Sequence, residues 1–350
     1  MSERSGAVGT EPDSPPGEAP ALIAQRVPAD DDPEAAAVSA DPVEAAPADE
    51  GVPDDDERAP VRISSRPTGR TAGLIPAPGA ALLALLALAW FAAKLWGLQR
   101  EISTSVTDAV AMASAAISLP TVVSASLVAG AATALVAVNL IARAGWTPTA
   151  SVRWAGALIA SIVVGLLGAL GVVAGYDGSG SRVLAATIAA AAVVGGAVAG
   201  LRPTSVVAAV LSGSLSVFAV QFALNYLGVD AISGSSTGAA LIAGLVAGLV
   251  PFFYLRRVTR RDTTEGGALR WPAYMVAGAG VGLALLITEV VTRVGGAQVL
   301  DAVASLSDLD RAYRAQVDGD RLTYALIVLF IGALATTIAF GRTLPSKKRV

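Results

Sequence analysis

Four residues inside long apolar runs are of types that can do chemistry: Lys94, Gln221, Asn225 and Glu289. A carboxylate within a membrane span is costly unless it is paired or close to water. Glu289, in LALLITEVVTRVGG (283–296), is therefore the natural candidate for an ion- or proton-responsive group, with Lys94 as its counter-charge. Gln221 and Asn225 are four apart, and Ser214 lies seven before Gln221, so the three share one stripe of a helix. Lys94 and Glu289 sit three and five residues from the ends of their runs. At about 1.5 Å per residue both are roughly 5–8 Å deep on the same side. One account of these residues is an outward-facing polar vestibule. The plainer account is structural: Lys94 snorkels past Trp96, Glu289 pairs with Arg293 one turn on, and the amides bond between helices.

Other chemistries find little support. The chain has no cysteine and no histidine. That excludes disulfides, thiolate nucleophiles, His-ligated zinc or haem, and the Ser-His-Asp triad. GSGS at 178–181 is too short to cradle a nucleotide phosphate. Glu101 and Asp108 are seven apart and could share a face of a first outer helix, but no further motif accompanies them. The acidic run DLDRAYRAQVDGD (308–320) matches neither a phosphatidyltransferase nor a prenyltransferase pattern. No catalytic residue, metal site or cofactor is assigned, and no nucleic-acid partner is expected.

The elements that must position these residues are spans of a bilayer. The 350 residues have a mean hydropathy of +0.62, and only 15% are charged. Residues 1–70 carry 16 of the 28 acidic residues and 11 of the 19 prolines, for a net charge of −10, whereas residues 71–350 sum to +7. The first segment reads as a disordered, acidic, Pro/Ala-rich tail, too polar to offset its ordering entropy. It ends in a basic juxtamembrane cluster, Arg58, Arg62, Arg66 and Arg70. After it, eight runs have the roughly 20 apolar residues that a span needs. They lie near 74–97, 120–142, 154–176, 183–201, 204–228, 237–255, 272–294 and 322–341. The predicted fold is all-α: a polytopic membrane helix bundle with a disordered N-terminal tail.

Orientation follows from the basic residues. With the N-terminus inside, the segments between spans place 12 basic residues on the inner side and 7 on the outer. Arg256, Arg257, Arg260 and Arg261, in RRVTRR, are the strongest marker. These and the Arg58–Arg70 cluster are expected to meet lipid headgroups, with both termini cytoplasmic. The excess of arginine over lysine beside abundant Ala and Gly suggests a GC-rich bacterial genome, which makes this a plasma-membrane protein. Trp90, Trp96, Trp146, Trp154, Trp271, Tyr176 and Tyr274 fall at or near span ends, where amphipathic rings settle.

Two outer segments show helical periodicity: 102–117, closing where Pro120 opens the next span, and 299–317. Both read as amphipathic helices that cap the bundle or dock a protein partner. GVVAG (171–175), GAVAG (196–200), GLVAG (244–248) and GAGVG (278–282) are small-xxx-small patterns for close helix packing. GAVAGLRP (196–203) and GLVAGLVP (244–251) hint at a duplicated hairpin. The functional expectation is a non-catalytic membrane partner or scaffold subunit of the envelope, docking through its tail and outer helices. The alternative is a small transporter using the polar cluster.

Overall fold

The computed structural model describes residues 79–343, apart from 106, 145–148, 176–179, 201–202, 227–235, 262–270 and 305–307. The expectations for the tail, including Arg58, Arg62, Arg66 and Arg70, and those for Trp146 and Tyr176, lie outside the described residues.

The described residues form helices and no strand. In order they are α1 (Ala80–Ser103), α2 (Asp108–Arg143), α3 (Ala150–Gly175), α4 (Ser181–Ala199), α5 (Thr204–Tyr226), α6 (Ser236–Arg261), α7 (Trp271–Gly295), α8 (Ala297–Ala304) and α9 (Asp308–Gly341). All except α8 are long and apolar enough to cross a membrane, and they match the eight expected spans one for one. Lipid offers backbone N–H and C=O groups no partners, so an apolar run there must satisfy them within its own helix. This is a multi-pass membrane protein, an all-α bundle.

Two boundaries differ from expectation. Segment 102–117 is not a separate surface helix: α1 continues to Ser103, and α2 starts at Asp108 and runs unbroken through Pro120. Thr107 caps α2, its hydroxyl accepting from the Val110 N–H at 3.4 Å. A proline removes one ladder bond and forces the preceding turn apart. Here Ser118 donates to the Ser114 carbonyl at 2.7 Å, and the Arg321 guanidinium reaches the Ile117 carbonyl at 3.4 Å. Neither bond reaches the Ala116 carbonyl that Pro120 leaves without its ladder donor, and the helix nevertheless continues. Segment 299–317 divides instead. Its first part is the short α8, whose Val299 and Leu300 are buried in the main core, and its second part is the start of α9. The apolar side of α8 is thereby used against the bundle itself, with Val299 facing Gly180.

Helix α2 is the centre. Of its apolar window 78% is buried, against 22% for the windows of α1 and α9. It packs on α1, α3 and α4, while α5, α6, α7 and α9 pack among themselves; α7, and less extensively α5, joins the two groups. Close approach requires glycine at the principal crossings. A Cβ on Gly195 would fall on the Leu127 carbonyl of α2, and one on Gly282 would fall on the Leu329 backbone of α9. Glycines of three of the four small-xxx-small patterns, among them Gly196, Gly248 and Gly278, sit at close helix contacts, whereas Gly171 and Gly175 of the fourth meet only the Leu95 and Gln99 side chains. The two halves of the suspected repeat differ: Pro203 precedes α5, whereas Pro251 lies inside α6 with its ring against Gly213.

Candidate functional site

Glu289 occupies the buried face of α7, near the end where α1, α3, α5 and α7 finish. The helix brings Arg293 onto the same face, one turn on. The Arg293 Nε donates to Glu289 Oε1 at 2.7 Å. The carboxylate side chain is 9% exposed and the guanidinium 47% exposed, so the pair runs from the interior towards the rim. Arg293 also reaches the Asp318 carbonyl of α9 at 3.4 Å. Thr292, beside them on α7, is 2% exposed, and its hydroxyl has no hydrogen-bond partner among the described residues. Thr288 turns its hydroxyl back to the Ala284 carbonyl at 2.9 Å.

Lys94 is elsewhere. Its Nζ stands 5.0 Å from the centroid of the Trp90 ring, on its own helix. Trp90 in turn stacks on Phe218 of α5 at 5.9 Å and meets Phe222 edge-on at 6.1 Å. Helix α1 packs on α2, α3 and α5 but not on α7. Lys94 is therefore not the counter-charge of Glu289.

Gln221 forms a third, separate arrangement. Its Nε2 donates to the Tyr324 hydroxyl of α9 at 2.8 Å. Asn225 lies in α5, with its side chain outside the described atoms. Ser214, on the same stripe, is buried and lines a cavity of about 10 Å³ with Ser124 and Thr288. That volume is near the minimum for one water molecule. Glu101 and Asp108 do not share a helix face: Glu101 is in the last turn of α1, and Asp108 begins α2.

At the opposite end, RRVTRR is helical and completes α6. Arg257 and Arg260 are exposed, Arg256 lies over the Phe252 ring at 5.9 Å, and Val258 between them is buried. Only the backbone of Arg261 is described. Tyr274, expected at the headgroup level, is 5% exposed, packed between Phe252 and Phe340. Its ring fills a gap where α6, α7 and α9 converge, and burial outweighs the interfacial preference. Of the rings expected at span ends, Trp96 and Trp271 are exposed.

Sequence reasoning missed several buried polar contacts. Gln99 donates to the Gly171 carbonyl at 2.6 Å, and Ser126 to the Ile188 carbonyl at 2.7 Å. Thr336, fully buried, has its hydroxyl 2.7 Å from the Gly332 carbonyl and 3.0 Å from that of Gly248. Arg153, counted among the topology-setting charges, is 4% exposed in the first turn of α3. The available signal was a lone polar residue within an apolar run, which marks a packed face but not its partner.

Comparison with protein-family models, with curated proteins and with solved structures gives no match. The class is thus defined by the fold: a polytopic α-helical membrane protein.

Proposed function

We propose that this chain is a non-catalytic subunit of a bacterial plasma membrane, with both termini cytoplasmic, which works by holding partner proteins rather than by moving a solute. One observation carries this reading. Lys94, Gln221 and Glu289 lie at similar depth, yet each is engaged in its own local arrangement at a different place in the bundle. A solute path needs polar groups that converge on one cavity. The cavity beside Thr288, next to Glu289 on α7, is lined almost wholly by apolar atoms and has room for about one water. The wider open one at the end of α7, lined in part by Arg182, Thr187 and Gln298, includes none of Lys94, Gln221 and Glu289.

A second feature supports partner docking. At about 1.5 Å per residue, α2 and α9 are roughly 54 and 51 Å long, well beyond a hydrocarbon core of about 30 Å. The Arg321 side chain of α9 reaches Ile117 of α2, so their extra turns rise on the same side. Ile117 and Val110 are 66% and 53% exposed there. These turns, with the acidic tail, are the proposed docking surfaces.

The test is gentle extraction from native membrane followed by mass spectrometry of the intact assembly. A stoichiometric protein partner is expected, lost on deletion of residues 1–57 or in the Val110→Asp, Ile117→Asp double variant, and retained in Glu289→Gln. A chain that carries a bound solute and no protein, and loses the solute in Glu289→Gln, would establish the transporter reading instead.

A further inference from the structure

The eight spans divide into two quartets of the same construction. In α1–α4 the second helix packs on the other three, the third packs on the fourth, and the first and fourth stay apart. In α5, α6, α7 and α9, taken in chain order, the same statements hold. The small residues at the crossings repeat as well. Cβ atoms on Gly130 of α2 and Gly165 of α3 would both meet Ala192 of α4. Cβ atoms on Gly248 of α6 and Gly278 of α7 would both meet Gly332 of α9. Gly130 closes LVAG at 127–130 and Gly248 closes LVAG at 245–248, each thirteen residues before the end of its helix. Every helix has its counterpart four spans later, so both cross in the same direction. The quartets are therefore parallel repeats, related by rotation about the membrane normal.

The seam between the quartets is not symmetric. It joins α1, α2 and α4 of the first to α5 and α7 of the second. The counterparts of α2 and α4 are α6 and α9, and the counterparts of α5 and α7 are α1 and α3. Helices α3, α6 and α9 do not pack across the seam, which only the Arg321 side chain of α9 reaches over. Burial follows this division. Of the apolar windows, 78% is buried in α2 against 44% in α6, 50% in α4 against 22% in α9, and 50% in α5 against 22% in α1. The repeated LVAG shows it residue by residue. Leu127 is 5% exposed at the seam, whereas Leu245 is 49% exposed. One turn on, Ala131 is 4% exposed and Leu249 39%.

A contact between two different faces of equivalent units is heterologous, and a pair so joined leaves each kind of face uncovered once. The uncovered α6–α9 face is built like the face that α2 and α4 present to the seam. The uncovered α1–α3 face is built like that of α5 and α7. Lipid supplies no hydrophobic drive for covering either, so association rests on packing, and the packing is one this chain already makes with itself. We propose that the α6–α9 face of one copy takes the α1–α3 face of a second copy, repeating the seam between chains in a head-to-tail assembly. This contact is separate from the partner docking argued above, which uses the tail and the ends of α2 and α9.

The test is disulfide cross-linking of the full chain in its membrane, where no natural cysteine interferes. Leu245→Cys is combined in turn with Val163→Cys, Leu167→Cys and Leu170→Cys, which share one exposed stripe of α3. Oxidation with copper phenanthroline should join chains in at least one of these pairs, giving covalent dimers and higher species. It should leave each single variant monomeric, because different faces meet. Leu245→Cys with Val290→Cys, at an exposed position of α7 outside both faces, should also stay monomeric. Thermal unfolding verifies that each variant is folded. Three α3 pairs that all stay monomeric overturn the proposal. So does a dimer from a single variant, which would make the contact isologous, or an equal yield from the Val290 pair, which reports random collision. Loss of the cross-link on deletion of residues 1–57 would assign the contact to the tail and overturn it as well.

Discussion

Arg293 donates through Nε to Glu289 Oε1 at 2.7 Å across one turn of α7, joining a buried carboxylate to a half-exposed guanidinium. The carboxylate depends on this partner far more than the guanidinium does. Arg293→Ala should therefore destabilise the chain by about 2 kcal/mol, since it leaves a buried charge unpaired. Glu289→Gln should cost less, and in the Arg293→Ala background it should recover most of the loss. Thermal unfolding of the four proteins in one detergent measures the cycle. If Glu289→Gln proves as costly as Arg293→Ala, the carboxylate has a role that the pair does not explain.

Lys94 and Glu289 belong to separate contacts, and their helices do not pack together. Lys94→Ala removes a cation–π contact worth about 0.5–1 kcal/mol at a partly exposed site. Its effect should add to that of Glu289→Gln within about 0.5 kcal/mol. A larger coupling energy would restore the shared polar cluster that the spacing suggested.

Two helical glycines should respond in opposite directions. Gly282→Ala places a methyl on the backbone of Leu329, with no flexible atom to yield, and should cost about 1–3 kcal/mol. Gly319→Ala meets nothing within 4 Å, in the exposed first half of α9, and should stabilise by about 0.5–1 kcal/mol through backbone entropy. Unfolding midpoints decide both.

Orientation is measured by labelling, because the natural chain has no cysteine. Single cysteines at Ser179, Ser235 and Ser307 should react in intact cells with a membrane-impermeant maleimide, and one at Thr263 should react only after lysis. The reverse pattern would place RRVTRR outside and invert the proposed topology.

The eight spans were legible because length and apolarity suffice to specify a helix in lipid. The ends of α2 and α9 were not. Their first turns are amphipathic, and an amphipathic stretch beside a proline or an acidic run reads as a separate helix. That α2 continues through Pro120, and that Arg321 about two hundred residues away meets it at Ile117, is not written in the local sequence. The same division holds at the polar residues. The Glu289–Arg293 pair lies within one turn and is written in the spacing. The Gln221–Tyr324 bond, the place of Lys94 beside Trp90 and Phe218, and the burial of Tyr274 follow from the order of helices around the bundle, which is a tertiary property.

The central position of α2 sets an order in time. Ser126 is fully buried, and its hydroxyl partner, the Ile188 carbonyl, lies 62 residues later in the chain. At synthesis rates of about 5–20 residues per second, α2 waits roughly 3–12 s for that partner. Through that interval the helix that becomes the least lipid-exposed in the finished protein has no α4 to cover it. The nascent chain must hold it at the insertion machinery or in lipid until α4 arrives, so slowing translation between residues 126 and 188 should lengthen the most vulnerable stage of assembly.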